Sequence, residues 1–337
     1  MKKTVALIFG GEGCERDVSI AGAENLYSMI NKELYEILLV FIADDGSWFI
    51  KETFTDPGGE PTYPVRINSL SGFFKSGEIL SVSAAITALH GDKGEDGTVQ
   101  GALDAAHIKY IGCDVFSSSV CCDKIYTKII AEHLGIPTAE WIFTNGEEST
   151  EDIAKRSEQI LGYPIFVKPA RLGSSIGISR ASCREDLLSA LKEAQKYSKR
   201  ILIEAAIDAE CEIECGFFGS YGKTYISPSG KILTDGIFYD YNGKYKGISS
   251  PKTLHGISLD KKTNCQITNY TKRLATLIDI RQLARIDYFI GREGDIYFNE
   301  INTFPGMTKT SLYPHITEDM GFERGEFINL LLSEVCL

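Results

Sequence analysis

The sequence predicts an α/β protein, α+β overall, with a parallel sheet in its first third and antiparallel strands toward its end. Three observations carry this. Residues 4–11 form an apolar run, followed by a glycine-rich turn, a helix over about 17–31 and a second apolar strand at 36–42, which is a βαβ opening. Residues 165–204 repeat the alternation as strand, glycine loop, helix (184–197) and strand (200–204). Residues 211–218, 222–233, 283–290 and 296–302 then read as hairpin-forming strands.

The remaining elements follow in order. Asp44-Asp45-Gly46 closes the second strand. Residues 55–80 are expected to be irregular. A helix is expected from about Thr98, a short strand at Tyr110-Ile111-Gly112 and a helical segment over 119–134, ended by Gly135-Ile136-Pro137. Composition and element order place boundaries near 118 and 208, giving units 1–118, 119–208 and 209–337. Residues 235–256 are a long connection without periodicity, rich in aromatics and lysines, and read as a lid over an anionic substrate.

The 337 residues are 43% hydrophobic and 24% charged, a globular composition. The net charge of −11 argues against a nucleic-acid partner and leaves phosphate binding to a local basic pocket. No apolar stretch approaches the roughly 20 residues of a membrane span. The first apolar run is too short for a signal peptide and ends in Gly10-Gly11-Glu12 rather than a small-residue cleavage site. The nine cysteines show neither CxxC nor zinc-ligand spacing. Reduced thiols and a cytoplasmic location are expected.

Chemistry concentrates in a few places. Gly10-Gly11-Glu12-Gly13-Cys14-Glu15-Arg16 lacks the last glycine of a dinucleotide fingerprint. It is either a ligand-facing loop carrying Glu15 and Arg16 or a solvated turn. Lys168 ends a strand and precedes Gly173-Ser174-Ser175-Ile176-Gly177, whose backbone N–H groups suit phosphate oxygens, although a plain turn reads the same way alone. In the hairpin 285–302, strand alternation puts Arg285 with Asp287 and Glu300 with Asn302. If the two faces coincide, the oxygens suit Mg²⁺; the alternative is a solvated polar face.

Together these residues resemble the D-alanine–D-alanine ligase family of ATP-grasp enzymes, nearly end to end. The resemblance is carried by Gly10-Gly11, Glu15-Arg16 and Val18-Ser19; His90-Gly91 and Gly94-Glu95-Asp96-Gly97; Cys122-Asp123-Lys124; Lys168-Pro169 with residues 173–177; Tyr239-Asp240-Tyr241 and Lys244-Tyr245; Arg285-Ile286-Asp287; and Asn299–Thr303, Pro305–Thr308 and Ser311–Pro314. It implies an ATP-grasp fold with an N-terminal Rossmann-like parallel α/β domain.

It also implies roles. Glu15 would hold the first D-alanine's ammonium in a set with Ser174 and Tyr245, with His90 nearby. Lys124, Lys168 and Lys244 would bind ATP phosphates. Glu204, with the Ala206–Ile207 backbone, would meet the adenine. Asp287, Glu300 and Asn302 would carry two Mg²⁺ ions, for which Mn²⁺ substitutes. Arg285 and the Gly306 N–H would stabilise an oxyanion, and Ser311 and Leu312 would meet the second D-alanine's carboxylate. The implied partners are D-alanine, ATP and a second copy of the chain as a homodimer; the implied product is a peptidoglycan precursor.

The stretch from Glu204 to Glu212 is one residue longer than the family's spacing. Glu212 is assigned to the ribose, with Glu210 as the alternative. Two competing readings stand: a D-alanine–D-serine ligase sharing every catalytic residue, and a nucleotide-binding regulator with a dead site, against which no lysine or ligand is missing.

Overall fold

A computed structural model describes residues 2–13, 15–91, 93–233 and 253–337. Its first sheet grows from β1 (Lys3–Gly10), in which Val5 to Phe9 are all fully buried. Such a continuous apolar run suits a strand covered on both faces. Helix α1 (Arg16–Met29) leads to β2 (Tyr35–Ile42), parallel to β1, and then to β3 (Trp48–Lys51) and β4 (Glu60–Thr62). After a separate small sheet, β8 (Ala84–Thr87) pairs parallel with the other side of β1. Helix α2 (Thr98–Ala105) and β9 (Tyr110–Ile111) complete the order β4-β3-β2-β1-β8-β9. The chain departs from β1 in both directions, and ligands bind at the carboxyl ends of strands at such a switch.

The expectation of irregular chain at 55–80 is corrected. Besides β4, the region forms an antiparallel sheet of β5 (Pro64–Ile67), β6 (Leu70–Lys75) and β7 (Glu78–Ser81). Ser76 and Gly77 both have positive φ, 49° and 94°, and join two strands through a two-residue turn. That is the backbone a tight hairpin requires.

The helical segment 119–134 is two helices, α3 (Val115–Cys122) and α4 (Lys124–His133). They part at Asp123, whose extended backbone and side chain, accepting from the Ile125 N–H at 3.0 Å, cap the second helix. Next come β10 (Trp141–Thr144), α5 (Thr150–Ile160), β11 (Ile165–Pro169), β12 (Ser179–Ala181), α6 (Arg184–Gln195) and β13 (Ile201–Ala205). Their sheet has the order β10-β13-β11-β12.

The third sheet is antiparallel: β14 (Ala209–Ser220), β15 (Lys223–Leu233), β16 (Thr253–Leu254), β17 (Leu283–Gly291) and β18 (Ile296–Asn302), in the order β16-β15-β14-β17-β18. Helix α7 (Lys261–Ile278) packs Ile267, Leu274 and Ile278 onto it. The end of the chain, with α8 (Leu312–Asp319) and α9 (Glu326–Val335), returns to the first sheet. Phe304, Met307, Tyr313, Phe327 and Leu331 share one core with Val5, Leu7, Phe9 and Ile86. Each large apolar side chain buried there contributes about 1.5–3 kcal/mol. That packing holds the 303–311 loop beside α1, where the Asn25 amide donates to Met307 O at 2.8 Å.

Candidate functional site

The β1 turn is fixed by its residues. Gly10 has φ +96°, and a Cβ there would collide with Ile42 O, so only glycine fits. The Ser19 hydroxyl accepts from the Gly10 N–H at 2.9 Å and donates to Ala88 O, tying the turn to the chain that leads into His90.

Glu15 stands at the start of α1 but does not cap it. Its carboxylate instead accepts a hydrogen bond from the Ser174 hydroxyl, joining the first glycine turn to the second. Glycines make room for it: a Cβ on Gly91 would strike Glu15 Oε2, and one on Gly173 would lie 3.1 Å from it. Burial pushes the Glu15 pKa up, and the Glu95 carboxylate adds to this; Ser174, His90 and Lys124 oppose it. His90 is buried, with Nδ1 3.8 Å from Glu95 Oε1. Burial lowers the imidazole pKa, but the Glu95 and Glu15 carboxylates outweigh it and the net is upward.

The second glycine loop holds Ser174 and Ser175 at φ 49° and 59°, two consecutive left-handed residues. Such conformations cost about 1–2 kcal/mol each and gather at functional sites. The loop is braced by Asp123, which accepts from Arg171 Nε and Arg200 Nε, each at 3.0 Å. Adjacent Lys124 donates from Nζ to Leu172 O at 2.7 Å and lies 3.4 Å from Glu300 Oε2. Burial lowers the Lys124 pKa, and Glu300 more than restores it.

A cavity of about 430 Å³ opens beside this loop. Lys124, Lys128, Lys168, Ser174, Ala206, Ile207, Glu212 and Glu300 line it, as does Glu204. Glu204 is buried between two lysines, Lys128 on Oε1 and Lys168 on Oε2. Burial alone would raise its pKa, but the lysines hold it down at about 2. The Ala206 N–H is committed to Pro164 O at 2.9 Å, so a ligand would meet Ala206 through its carbonyl. Between Glu204 and Glu212 the strand bulges: Ala209 pairs with Gly291 and Cys211 with Ile290, leaving Glu210 out of register. Glu212 stays in register and lines the cavity.

The carboxylate hairpin has coincident faces. Asp287 pairs with Glu300 and Arg285 with Asn302, the register shifting only beyond Asp287. Arg285 grips Asp287 through Nε (2.8 Å) and Nη2 (2.7 Å), and Asn302 Nδ2 donates to Asp287 Oδ2 at 3.1 Å. Burial lowers the Arg285 pKa, but Asp287 and Glu214 carry it well above its ordinary value.

Sequence reasoning gave Glu214 no role. Across β14 it pairs with Asp287, making a row Glu214–Asp287–Glu300, and its Oε2 lies 3.4 Å from Arg285 Nε. Three carboxylates thus face one arginine and Lys124, a local excess of negative charge that fits a divalent cation. Among the described residues no three His, Cys, Asp or Glu side chains form a ready metal cage. Mg²⁺ needs none, since it takes one or two carboxylates and completes its shell with phosphates and water. Lys128 was the other functional candidate missed; its signal is a second lysine one helical turn after Lys124, on the same face of the helix.

In the 303–311 loop, Ser311 Oγ accepts from the Thr308 N–H at 3.0 Å, and a Cβ on Gly306 would come within 2.9 Å of it. Ser311 precedes α8 without capping it, so the first N–H groups of that helix remain suited to a carboxylate. Leu312 packs with Ile232 and Ile316. Lys244 and Tyr245, with the stretch 235–252, lie outside the described residues. A larger, shallower depression of about 730 Å³ near Arg281 and Lys223 includes none of these groups. Chemistry, not volume, singles out the smaller cavity as the candidate site.

Comparison with known proteins identifies the family. Two sequence-family models match, D-ala D-ala ligase N-terminus over residues 4–113 and D-ala D-ala ligase C-terminus over 130–333. The D-alanine–D-alanine ligase of Thermoanaerobacter sp. (strain X514) is 36% identical, the match covering 98% of this chain and 96% of that protein. That of Ruminiclostridium cellulolyticum is 37% identical, covering 98% and 95%. Among solved structures, D-alanyl-alanine synthetase A from Vibrio cholerae superposes with a TM-score of 0.88 at 30% identity, covering 100% of this chain and 99% of that one. The VanG D-Ala:D-Ser ligase from Enterococcus faecalis gives 0.88 at 28%, covering 99% and 100%. No helix among the described residues is long and apolar enough to cross a membrane. With both of its halves matched and relatives above 30% identity along almost all of its length, the chain belongs to the D-alanine–D-alanine ligase family.

Proposed function

We propose that the protein condenses two D-alanine molecules at the expense of ATP, through a D-alanyl phosphate, to supply D-alanyl-D-alanine for peptidoglycan in the cytoplasm. The observation that carries this is the hydrogen bond from Ser174 to Glu15, which sets an amino-acid-binding carboxylate against the phosphate loop. The proposed units are 1–118, 119–208 and 209–337, with a homodimer as the assembly.

In the first step a carboxylate oxygen of D-alanine attacks the γ-phosphorus of ATP, the bond to the β-phosphate oxygen breaks, and ADP leaves. In the second the amine of another D-alanine attacks the acyl carbon, the carbon–oxygen bond to phosphate breaks, and the amine loses a proton as inorganic phosphate departs. Glu15, with His90 beside it, holds the first ammonium. Lys124 and Lys168, joined by Lys244, hold the phosphates. Glu204 and the Ala206–Ile207 backbone take the adenine, and Glu212 the ribose.

Arg285 and the Gly306 N–H face the oxyanion that develops at the acyl carbon, where preorganised donors count most. Ser311, Leu312 and the start of α8 receive the second carboxylate. Tyr245 completes the set with Glu15 and Ser174, and the 235–256 lid excludes water from an intermediate that water would destroy. Asp287, Glu300 and Asn302 would hold two Mg²⁺ ions, or Mn²⁺ in their place. Bound there, the metal supplies positive charge to offset that gathering on the transferring phosphoryl group.

A D-serine-accepting variant of the same chemistry is the second reading, because VanG, a D-Ala:D-Ser ligase, matches the fold as well as the synthetase does. Leu312 favours D-alanine, since its apolar side chain offers an acceptor hydroxyl no partner. Such a wall rejects an added hydroxyl by only about a hundredfold. With equimolar D-alanine and D-serine, ATP and Mg²⁺, D-alanyl-D-alanine should dominate the products separated by mass. Dominance of the mixed dipeptide overturns the choice of acceptor, and absence of ADP release with D-alanine overturns the ligase reading.

A further inference from the structure

Lys128 sits on α4 four residues after Lys124, and its side chain is only 1% exposed. Two buried lysines on one face of a helix repel each other and are costly to desolvate, so each needs a specific counter-charge. Lys124 has Glu300 and Leu172 O. Lys128 has Glu204 Oε1, while Lys168 occupies Oε2 of the same carboxylate. The two lysines are not equivalent. Lys168 ends a strand beside the glycine loop and has phosphate to go to when nucleotide binds. Lys128 has only Glu204 at contact distance among the described residues.

We infer that Lys128 is a positioning residue for base recognition: it keeps Glu204 ionised and oriented through Oε1, so that Oε2, once Lys168 turns to phosphate, accepts the exocyclic amine of the adenine. This rests on the reading of Glu204 as the adenine contact and extends it to specificity. An ionised carboxylate has acceptors and no donor. It therefore takes a 6-amino purine and repels a 6-oxo purine, whose oxygen is also an acceptor. Were Glu204 protonated, its hydroxyl would donate to that oxygen and the discrimination would fall. Burial favours protonation of a lone carboxylate, and the permanent lysine prevents it.

The test is steady-state kinetics of the full chain with Mg²⁺ and saturating D-alanine, comparing ATP with inosine triphosphate. Lys128→Met should raise the KM for ATP about tenfold, the worth of one charged hydrogen bond, with kcat within about threefold. The ratio of kcat/KM for ATP over inosine triphosphate should fall by a similar factor, and Lys128→Arg should retain it. If Lys128→Met does not accumulate as folded protein, Lys128→Gln carries the same expectation. A ratio unchanged while only the melting temperature drops overturns the inference, as does a loss confined to kcat. Glu204→Gln separates the two levels. If it lowers the ratio and the Lys128 variants do not, only the role of Lys128 is wrong; if it leaves the ratio intact, the adenine reading of Glu204 falls and takes this one with it.

Discussion

Removing the Ser174 hydroxyl isolates the contact on which the amino-acid site depends. Burial already lifts the Glu15 pKa above the ordinary 4.5, and Ser174 is the largest influence holding it down. A hydrogen bond to a charged group is worth about 1.5–3 kcal/mol. Ser174→Ala removes that restraint and should raise the Glu15 pKa further above its ordinary value. On the proposed role of Glu15, only its ionised carboxylate would hold the substrate ammonium. The acid limb of the pH profile of kcat/KM for the first D-alanine, which reports the free enzyme, should therefore move to higher pH, while the KM for ATP changes little.

Stability should follow with a defined sign. A carboxyl whose pKa is raised by folding binds more protons in the folded state, so its cost is absent below pH 4.5 and grows as pH rises through the folded value. The melting-temperature difference between wild type and Ser174→Ala should be larger at pH 7 than at pH 4. Because Ser174 has φ 49°, Ser174→Gly serves as the control that removes the hydroxyl and relieves the backbone. An acid limb that stays in place in both variants refutes the claim that this hydrogen bond tunes Glu15.

Glu300→Gln removes one charge from the carboxylate row at constant shape; turnover should fall by at least about a hundredfold with folding preserved, and near-normal turnover at saturating Mg²⁺ removes Glu300 from the metal shell. Gly91→Ala places a methyl group against Glu15 at a position with φ +70°. It should cost about 1 kcal/mol of stability and, by displacing the carboxylate, reduce kcat/KM for D-alanine by on the order of a hundredfold; unchanged kinetics would show that Glu15 tolerates the shift.

Much of this arrangement was legible before any coordinates, and the reasons divide by range. Alternation along β17 and β18 puts Arg285 with Asp287 and Glu300 with Asn302, because a strand's period of two is a local property. Their coincidence needed only a hairpin, and the short Gly-containing turn announced one. Glu214 was invisible as a site residue because its neighbour, Asp287, is 73 positions away, and no local pattern fixes which strand lies beside which. The 64–81 sheet was missed for a different reason. Its strands are short and alternate poorly, and of its two tight turns, Asn68-Ser69 and Ser76-Gly77, only the second carries a glycine, so a three-stranded unit read as loop. The bulge at Glu210 depends on how β14 pairs with β17, which no local spacing shows.

A chain of net charge −11 has to hold a triphosphate, and the pairs in the cavity show how it does so without burying loose charge. Lys168 and Lys124 are each matched to a carboxylate, Glu204 and Glu300 respectively. Leaving either partner alone in the interior would cost several kcal/mol. Nucleotide binding is therefore best understood as an exchange of partners. On the proposed roles, Lys168 would leave Glu204 for phosphate, and Glu204 would retain Lys128. Lys124 would likewise leave Glu300 for phosphate, and Glu300 belongs to the row proposed to hold Mg²⁺. On that reading no carboxylate is stranded before or after the exchange. The same reasoning explains why metal and nucleotide should bind together: phosphate draws Lys124 away from Glu300 most cheaply when a cation replaces it.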